Sequence, residues 1–321
     1  MTAWQRLQRL PRAEQRAAQD ALLQRYVREY LYPFSPYYRA LFDANGVRPE
    51  HIKTVDDLRR LPLSTKQDLL PTDDDPQRFK QFILQPDPAS IKKAWPLKKK
   101  LPLLWQKWTQ GTEAVRRRIR DEFAPSFMTF TTGRSAEPVP FFYSPHDIRN
   151  LHDTGSRLVD VMGLDPDYKI ANVFPYAPHL AFWQVFFAGQ ETGMMALSTG
   201  GGKVMGSSGD LRAITRLRAE ALIGVPGYVY HLLRRAVAEG LDLSSIRCVV
   251  LGAERVPPGL KAKIVEMLQA TGATDVSVFG TYGFTEARMA FAECPTKDNA
   301  YTGYHLYPDL AIFEVINPET G

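Results

Sequence analysis

Four short stretches of the chain carry residue types suited to handling anions. Thr131-Thr132-Gly133-Arg134-Ser135-Ala136-Glu137-Pro138 follows the β-type run Phe127-Met128-Thr129-Phe130. Gly224-Val225-Pro226-Gly227-Tyr228, Gly252-Ala253-Glu254 and Gly280-Thr281-Tyr282-Gly283-Phe284-Thr285-Glu286-Ala287 each follow an apolar run of their own. Hydroxyls and small residues after a strand leave backbone N–H groups open to an oxyanion, and glycine lets the chain come close. The same composition also makes an ordinary polar turn. Taken singly, none of the four decides between these readings.

The surrounding pattern says which elements must position them. Apolar runs at 169–176, 194–198, 221–226, 246–251 and 276–279 predict buried strands. Between several of them, 227–239 (Tyr228, Leu232, Val237) and 259–270 (Leu260, Ile264, Leu268) have helical spacing. Alternating strand and helix implies an α/β fold with mostly parallel strands and helices on the sheet faces. In such sheets ligands bind beyond the carboxyl ends of the strands, where all four stretches are expected. There is no internal repeat.

Upstream, Leu22, Tyr26 and Tyr30 form one ridge and Leu23, Val27 and Leu31 the next, predicting a helix that Pro33 and Pro36 end. A second short helix runs through Tyr38 and Phe42 and stops at Gly46. Thr54 with Asp57, and Thr65 with Asp68, have the spacing of a helix N-cap with an acid three residues on. Residues 71–126 differ in composition. Within them, 92–120 holds ten Lys or Arg and one acid, Glu113, so this stretch is +9 in a chain of net +5 and the remainder is −4. Trp95, Trp105 and Trp108, three of the five tryptophans, lie there. The region reads as an insertion or cap on the N-terminal part. Its charge fits a solvated face, whereas Leu-Pro-Leu-Leu-Trp-Gln-Lys-Trp at 101–108 suggests an amphipathic patch for a membrane surface, CoA phosphates or an acidic carrier protein. No nucleic-acid recognition motif accompanies it.

At 321 residues, 44% hydrophobic and 23% charged, the chain is an ordinary globular one, long enough for about two domains. Cys248 and Cys294 form no C-x-x-C pair, which fits a reducing cytoplasm better than a disulfide framework. Residues 1–20 lack the apolar centre of a secretory signal, and no apolar run reaches the ~20 residues of a membrane span.

In their order and spacing the four stretches resemble the adenylate-forming superfamily, most closely its phenylacetate–CoA ligase branch. That branch carries a Ser/Thr/Gly-rich phosphate loop, a Gly-Ala-Glu after a central strand and a Tyr-Gly-x-Thr-Glu loop. The lead-in segments at 26–47 and 54–69 and the segment GYHLYPDLAIFEVINPETG at 303–321 are similar too, so about four-fifths of the chain takes part. The resemblance implies the large N-terminal domain of such a ligase, split as a helical lead-in over 1–70, the insertion over 71–126 and an adenylate-binding α/β core over 127–321. It implies an enzyme that joins a carboxylic acid to AMP, using ATP and Mg²⁺, and passes the acyl group to CoA or an acyl carrier protein. A carboxylate cannot lose oxide to a thiol; as a mixed anhydride with AMP it has a phosphate leaving group. Bringing two anions together requires donors and positive charge at the phosphates.

By this resemblance Thr131, Thr132, Gly133, Arg134 and Ser135 would cradle phosphate, and Thr281, Tyr282 and Gly283 would lie at the nucleotide, with Tyr282 near the adenine. Gly252, Ala253 and Glu254 would border the base, Thr285 would touch the α-phosphate and Glu286 would hold Mg²⁺. Tyr176, His179, Phe182 and Trp183, with Gly227 and Tyr228 opposite, would line the acyl pocket, which suits an aryl or arylalkyl acid; Phe186 and Phe187 read as core. His179 reads equally as a satisfied core histidine. Two positions depart from the pattern. Ala136 stands where the family has glycine, and Glu137 where it usually has lysine. Like charges ~5 Å apart at an effective dielectric of 20 repel by roughly 3 kcal/mol before screening. Either Glu137 points away and Arg134 serves as the phosphate cation, or the loop has lost efficient ATP use and the domain is a non-catalytic module. An acyl-protein synthetase is a third reading.

Gly200-Gly201-Gly202-Lys203 fails the P-loop pattern and reads as a surface loop. Cys294 and His305 are half of a tetrahedral site, so no metal other than magnesium is expected. The closing INPETG sits mid-protein in relatives, implying that the C-terminal lid with its catalytic lysine is absent and turnover weak. A homodimer is compatible with all of this.

Overall fold

The computed structural model describes residues 2–131, 138–317 and 319. The chain divides into two compact units: 1–127 with 133–146 and 306–321, and 128–132 with 147–305.

The first unit is helical. It contains α1 (Ala3–Leu7), α2 (Arg12–Tyr26), α3 (Tyr32–Phe34), α4 (Pro36–Ala44), α5 (Pro88–Ala94), α6 (Leu97–Gln110) and α7 (Thr112–Phe123). The helix ends between Pro33 and Pro36, the two prolines expected to end it. Past α2 it continues as a π-helical turn, Val27–Leu31, and runs through Phe34 to an extended Ser35 before Pro36. Proline at 33 cannot donate to the carbonyl of Glu29, four residues back. The indole N–H of Trp95 donates to that oxygen instead, at 3.0 Å. Trp95 is buried among Tyr30, Phe34 and Phe123, so the region read as an insertion supplies a core side chain. Val27, Phe42, Val47 and Ile52 form the adjoining small core. At Thr54 and Thr65 the turns are 3₁₀. There Asp57 accepts from the backbone N–H groups of Lys53 and Thr54, both at 3.0 Å, which holds its carboxyl well below the usual range.

Two short strands, β1 (Phe127–Phe130) and β2 (Pro140–Tyr143), flank residues 132–137 in the chain. The second unit then follows the predicted alternation: α8 (Pro145–Met162), β3 (Ile170–Asn172), α9 (Leu180–Thr192), β4 (Ala196–Ser198), α10 (Gly206–Leu217), β5 (Ala221–Gly224), α11 (Pro226–Ala238), β6 (Cys248–Leu251), α12 (Pro258–Ala270), β7 (Ser277–Phe284) and β8 (Met289–Ala292). The sheet order is β4-β3-β5-β6-β7-β8, parallel except for β8. The expected α/β architecture, a mostly parallel sheet flanked by helices, is present. The central strands β3, β5 and β6 read as continuous apolar runs because both faces are covered. Val249 and Leu251 pack with Leu211, Leu232 and Ile264 of α10–α12, while Cys248 and Val250 pack with Leu158 of α8 and Phe182 of α9. Burial pushes the Cys248 thiol up to about 12. Among the described residues no helix is long and apolar enough to cross a membrane.

The outer edge of β7 is satisfied largely by side chains. Asn299 accepts from Val278 N–H at 2.6 Å and donates to the Val276 carbonyl at 3.1 Å. Glu293 Oε2 accepts from Gly280 N–H at 2.5 Å, and Glu293 N–H donates to the Gly280 carbonyl at 3.1 Å. Lys261 of α12 meets the same carboxylate at 2.6 Å, with both side chains buried. Replacing one member of a buried pair strands the other charge. Lys261→Met is therefore expected to lower the urea-unfolding free energy by about 3–5 kcal/mol. Lys261→Met combined with Glu293→Gln, which keeps an acceptor for Gly280, is expected to recover most of that loss.

Candidate functional site

The chain after β3 goes to β4 on one side, and the chain after β5 goes to β6 on the other. Adjacent parallel strands whose connections diverge leave a crevice at their carboxyl ends. The segments after β3, β5 and β6 and the upper part of β7 thus line one rim, on strands ~4.8 Å apart. Four of the five sequence-predicted clusters fall there.

Close backbone approach joins the two centre-right segments. A Cβ on Gly252 would lie 2.5 Å from Thr281 Oγ1 and 3.4 Å from Phe174, so only glycine fits between them. Thr281 Oγ1 donates to the Leu251 carbonyl at 3.0 Å, tying β7 to the end of β6. Ala253 is left-handed at φ 69°, a conformation that costs a residue with a Cβ of order 1–3 kcal/mol. A Cβ on Gly227 would lie 3.8 Å from Glu254 Oε2, so the segments after β5 and β6 adjoin.

Residues 280–287, expected as a loop, are strand as far as Phe284. They pair with β8 and close in a turn of Thr285, Glu286, Ala287 and Arg288. Thr281–Phe284 continue the parallel strand because β8 returns antiparallel and supplies their ladder partners. Arg288, at φ 56°, anchors the turn through Asp147 at 2.9 Å. Glu286 is exposed and has no ion-pair partner among the described residues, and Thr285 is half-buried. Tyr282 is partly exposed beside the rings of Phe284 and Tyr304. Gly283 lies against Ala290 of β8.

On the β3 side, Tyr176 is exposed, with its ring 5.1 Å from Phe182 and 5.9 Å from Trp183. Phe182 itself belongs to the core beneath, and Trp183 is half-buried against that core. Phe186, expected inside, is on the surface because its position on α9 faces away from the sheet; Phe187 is half-buried against His152. His179 Nδ1 donates to the Phe130 carbonyl at 3.1 Å, and Phe130 N–H donates to the Pro178 carbonyl at 2.7 Å. His179 thus fastens the end of β1. Thr131 follows there, buried, whereas Thr132, Gly133, Arg134, Ser135, Ala136 and Glu137 lie outside the described residues.

Sequence reasoning placed Gly200–Gly202 on the surface. The three glycines instead fold over the crevice, with φ of 82°, 65° and 77°. A Cβ on Gly201 would meet Pro175 N at 2.8 Å, and one on Gly202 the Tyr228 hydroxyl at 2.4 Å. That hydroxyl donates to Asp210 Oδ2 at 2.7 Å. Burial first, then the Asp210 carboxylate, holds the Tyr228 phenol well above its ordinary range. Asp210 is fully buried, and its other oxygen has no partner among the described residues. Asn172, also missed, ends β3 by accepting from Phe174 N–H and donating to Ser198. The triple glycine was the available signal; Asp210 gave none. Cys294 Sγ and His305 Nδ1 are 3.6 Å apart, and no group of three or more metal-ligating side chains occurs among the described residues.

A family model described as AMP-binding enzyme matches residues 68–320. The phenylacetate-coenzyme A ligase of Thermus thermophilus is 23% identical over 317 residues, covering 98% of this chain and 60% of its own length. That of Escherichia coli K12 is 24% identical over 298 residues, covering 91% of this chain and 56% of its own. The chain thus spans little more than half the length of these relatives. A crystal structure of 2-hydroxyisobutyryl-CoA ligase with 2-HIB-AMP and CoA shares the fold, with a TM-score of 0.67 at 19% identity over 91% of this chain and 54% of that one.

Tyr228→Phe removes the donor to a buried carboxylate and is expected to cost about 1–3 kcal/mol in chemical denaturation. Asp210→Asn retains an acceptor for the tyrosine and is expected to cost less than Tyr228→Phe. The opposite ranking would show that the pair does not hold the crevice wall.

Proposed function

The chain belongs to the AMP-binding enzyme family, on the phenylacetate–CoA ligase-like branch of the adenylate-forming superfamily, and from that premise we propose that it activates a carboxylic acid with ATP. The acid's oxygen attacks the α-phosphorus, the α–β phosphoanhydride breaks and pyrophosphate leaves. A thiol, from CoA or a carrier protein, then attacks the acyl carbon and AMP departs. The observation that carries this reading is the tight rim where Gly252, strained Ala253 and Thr281 meet beside a crevice edged by aromatic rings.

Each group has a task on this reading. Gly252–Glu254 border the base, and Tyr282, next to Thr281 and Gly283, offers a partly exposed ring to it. Thr285 directs its hydroxyl to the α-phosphate. Glu286, exposed and without an ion-pair partner among the described residues, suits a hard cation such as Mg²⁺, which would offset charge on the phosphate oxygens. The phosphate-loop role of Thr131–Ser135, with Arg134 as the cation, rests on sequence alone. Tyr176 and Trp183 form the aromatic edge of the acyl slot and support an aryl or arylalkyl acid. Tyr228 forms its wall through Asp210, and Phe182 backs it from the core. His179 positions the end of β1 through its hydrogen bond to the Phe130 carbonyl.

A second reading, a non-catalytic adenylate-binding module, is favoured by Glu137 and Ala136 in the phosphate loop. ATP–pyrophosphate exchange over a panel of aryl, arylalkyl and fatty acids separates the two. An aryl or arylalkyl acid is expected to support exchange, and Glu286→Gln to slow it by about 10²–10³-fold. Should no acid support exchange, and Glu137→Lys restore none, the module reading replaces the ligase.

A further inference from the structure

Helix α6 is mounted with its apolar stripe outward. Leu97, Leu101, Leu104, Trp105 and Trp108 recur at helical spacing within one ~100° arc, and all five are exposed, from 53% for Leu101 to 84% for Trp108. The opposite side carries Lys99, Leu103 and Gln106, which are half-buried, as is Lys100 at its margin, where its ammonium donates to the Lys92 carbonyl at 3.1 Å. Lys99 reaches Glu29 at 2.5 Å and lies 4.1 Å from the Tyr30 ring centre, so even the inward cation is accommodated. Lys98 flanks the stripe on one side, and Lys100 and Lys107 on the other. α7 adds Arg116, Arg117, Arg118 and Arg120, all exposed. Among the described residues, Glu113 on Arg116 is the one carboxylate that pairs with these flanking cations.

We propose that α6 is a membrane-docking helix whose Leu/Trp stripe enters the headgroup–acyl boundary of an anionic bilayer. The stripe is about 18 Å long. A lipid interface deforms around protruding side chains, accepts indoles at the depth where their N–H stays hydrated, and meets the flanking Lys and Arg with phosphate. The +9 charge of 92–120, in a chain otherwise negative, matches an anionic surface and no neutral one. This inference does not depend on the ligase reading, since it uses neither the crevice nor a nucleotide.

Co-sedimentation with vesicles, without ATP or acid, tests it. Partitioning onto phosphatidylcholine vesicles containing phosphatidylglycerol is expected to exceed that onto pure phosphatidylcholine by at least about ten-fold. The variant Leu101→Ser/Leu104→Ser/Trp105→Ser/Trp108→Ser changes only exposed side chains. It is expected to keep the wild-type circular dichroism and melting temperature while losing about ten-fold or more of the binding. Lipids brominated on their acyl chains should quench wild-type tryptophan fluorescence more than that of Trp105→Phe/Trp108→Phe. Equal binding to both vesicle types overturns the proposal, as does anionic binding that the serine variant retains. Failure to bind vesicles, together with stripe-dependent binding to poly-glutamate, would assign the face to an acidic protein instead.

Discussion

A parallel sheet has to end somewhere, and its last parallel strand exposes a row of backbone groups that water or protein must satisfy. Here that strand is β7, and its outer edge is closed in three ways along its length. Asn299 covers the lower part with one side-chain amide, Glu293 covers Gly280 with its carboxylate and its own N–H, and β8 covers the rest as an antiparallel partner. Glu293 is the hinge of the arrangement, because it stands where side-chain cover gives way to a ladder. A buried carboxylate is tolerable there only because Lys261 neutralises it from α12.

The rim above depends on that closure. Thr281 is the residue after Gly280, and its hydroxyl reaches back to the Leu251 carbonyl while its Oγ1 leaves Gly252 no room for a side chain. A shift of β7 along its axis would break this contact and displace the Thr285–Arg288 turn that the hairpin carries. The Arg288–Asp147 pair fixes the far end of the same hairpin. Thr285 and Glu286 therefore sit on a strand pair fixed at both ends, a firmer base than a loop offers.

Much of this was legible because the strong signals were local. Continuous apolar runs gave the strands near their true places, and Pro226 and Pro258 open α11 and α12 where a first-turn proline fits. Omissions and misreadings came where a distant residue intervened. Around Pro33 the helix end was read correctly, but nothing in its neighbourhood announces that Trp95 will donate to the Glu29 carbonyl that the proline leaves open. Residues 281–284 looked like loop because their ladder partner is β8, whose Met289–Ala292 run is too short to register as a strand. The glycines at 200–202 were visible, but their partners, Pro175 and Tyr228, come from two other strands' ends. Asp210 could not be found at all. An acid on an amphipathic helix is ordinarily solvated, and only the fold reveals that this one faces Tyr228.

The basic segment divides along the same line between what folding explains and what it does not. Trp95 earns its place by packing and by its hydrogen bond to Glu29, and Lys99 by its pair with the same residue. Leu97, Leu101, Leu104, Trp105 and Trp108 do neither. Burying side chains of this kind would stabilise the fold by about 1.5–3 kcal/mol each, and rotating α6 by half a turn would direct them inward. Lys99 and its partner Glu29 hold the helix in the opposite rotation. A stripe kept outward at that expense is not explained by the core of this unit.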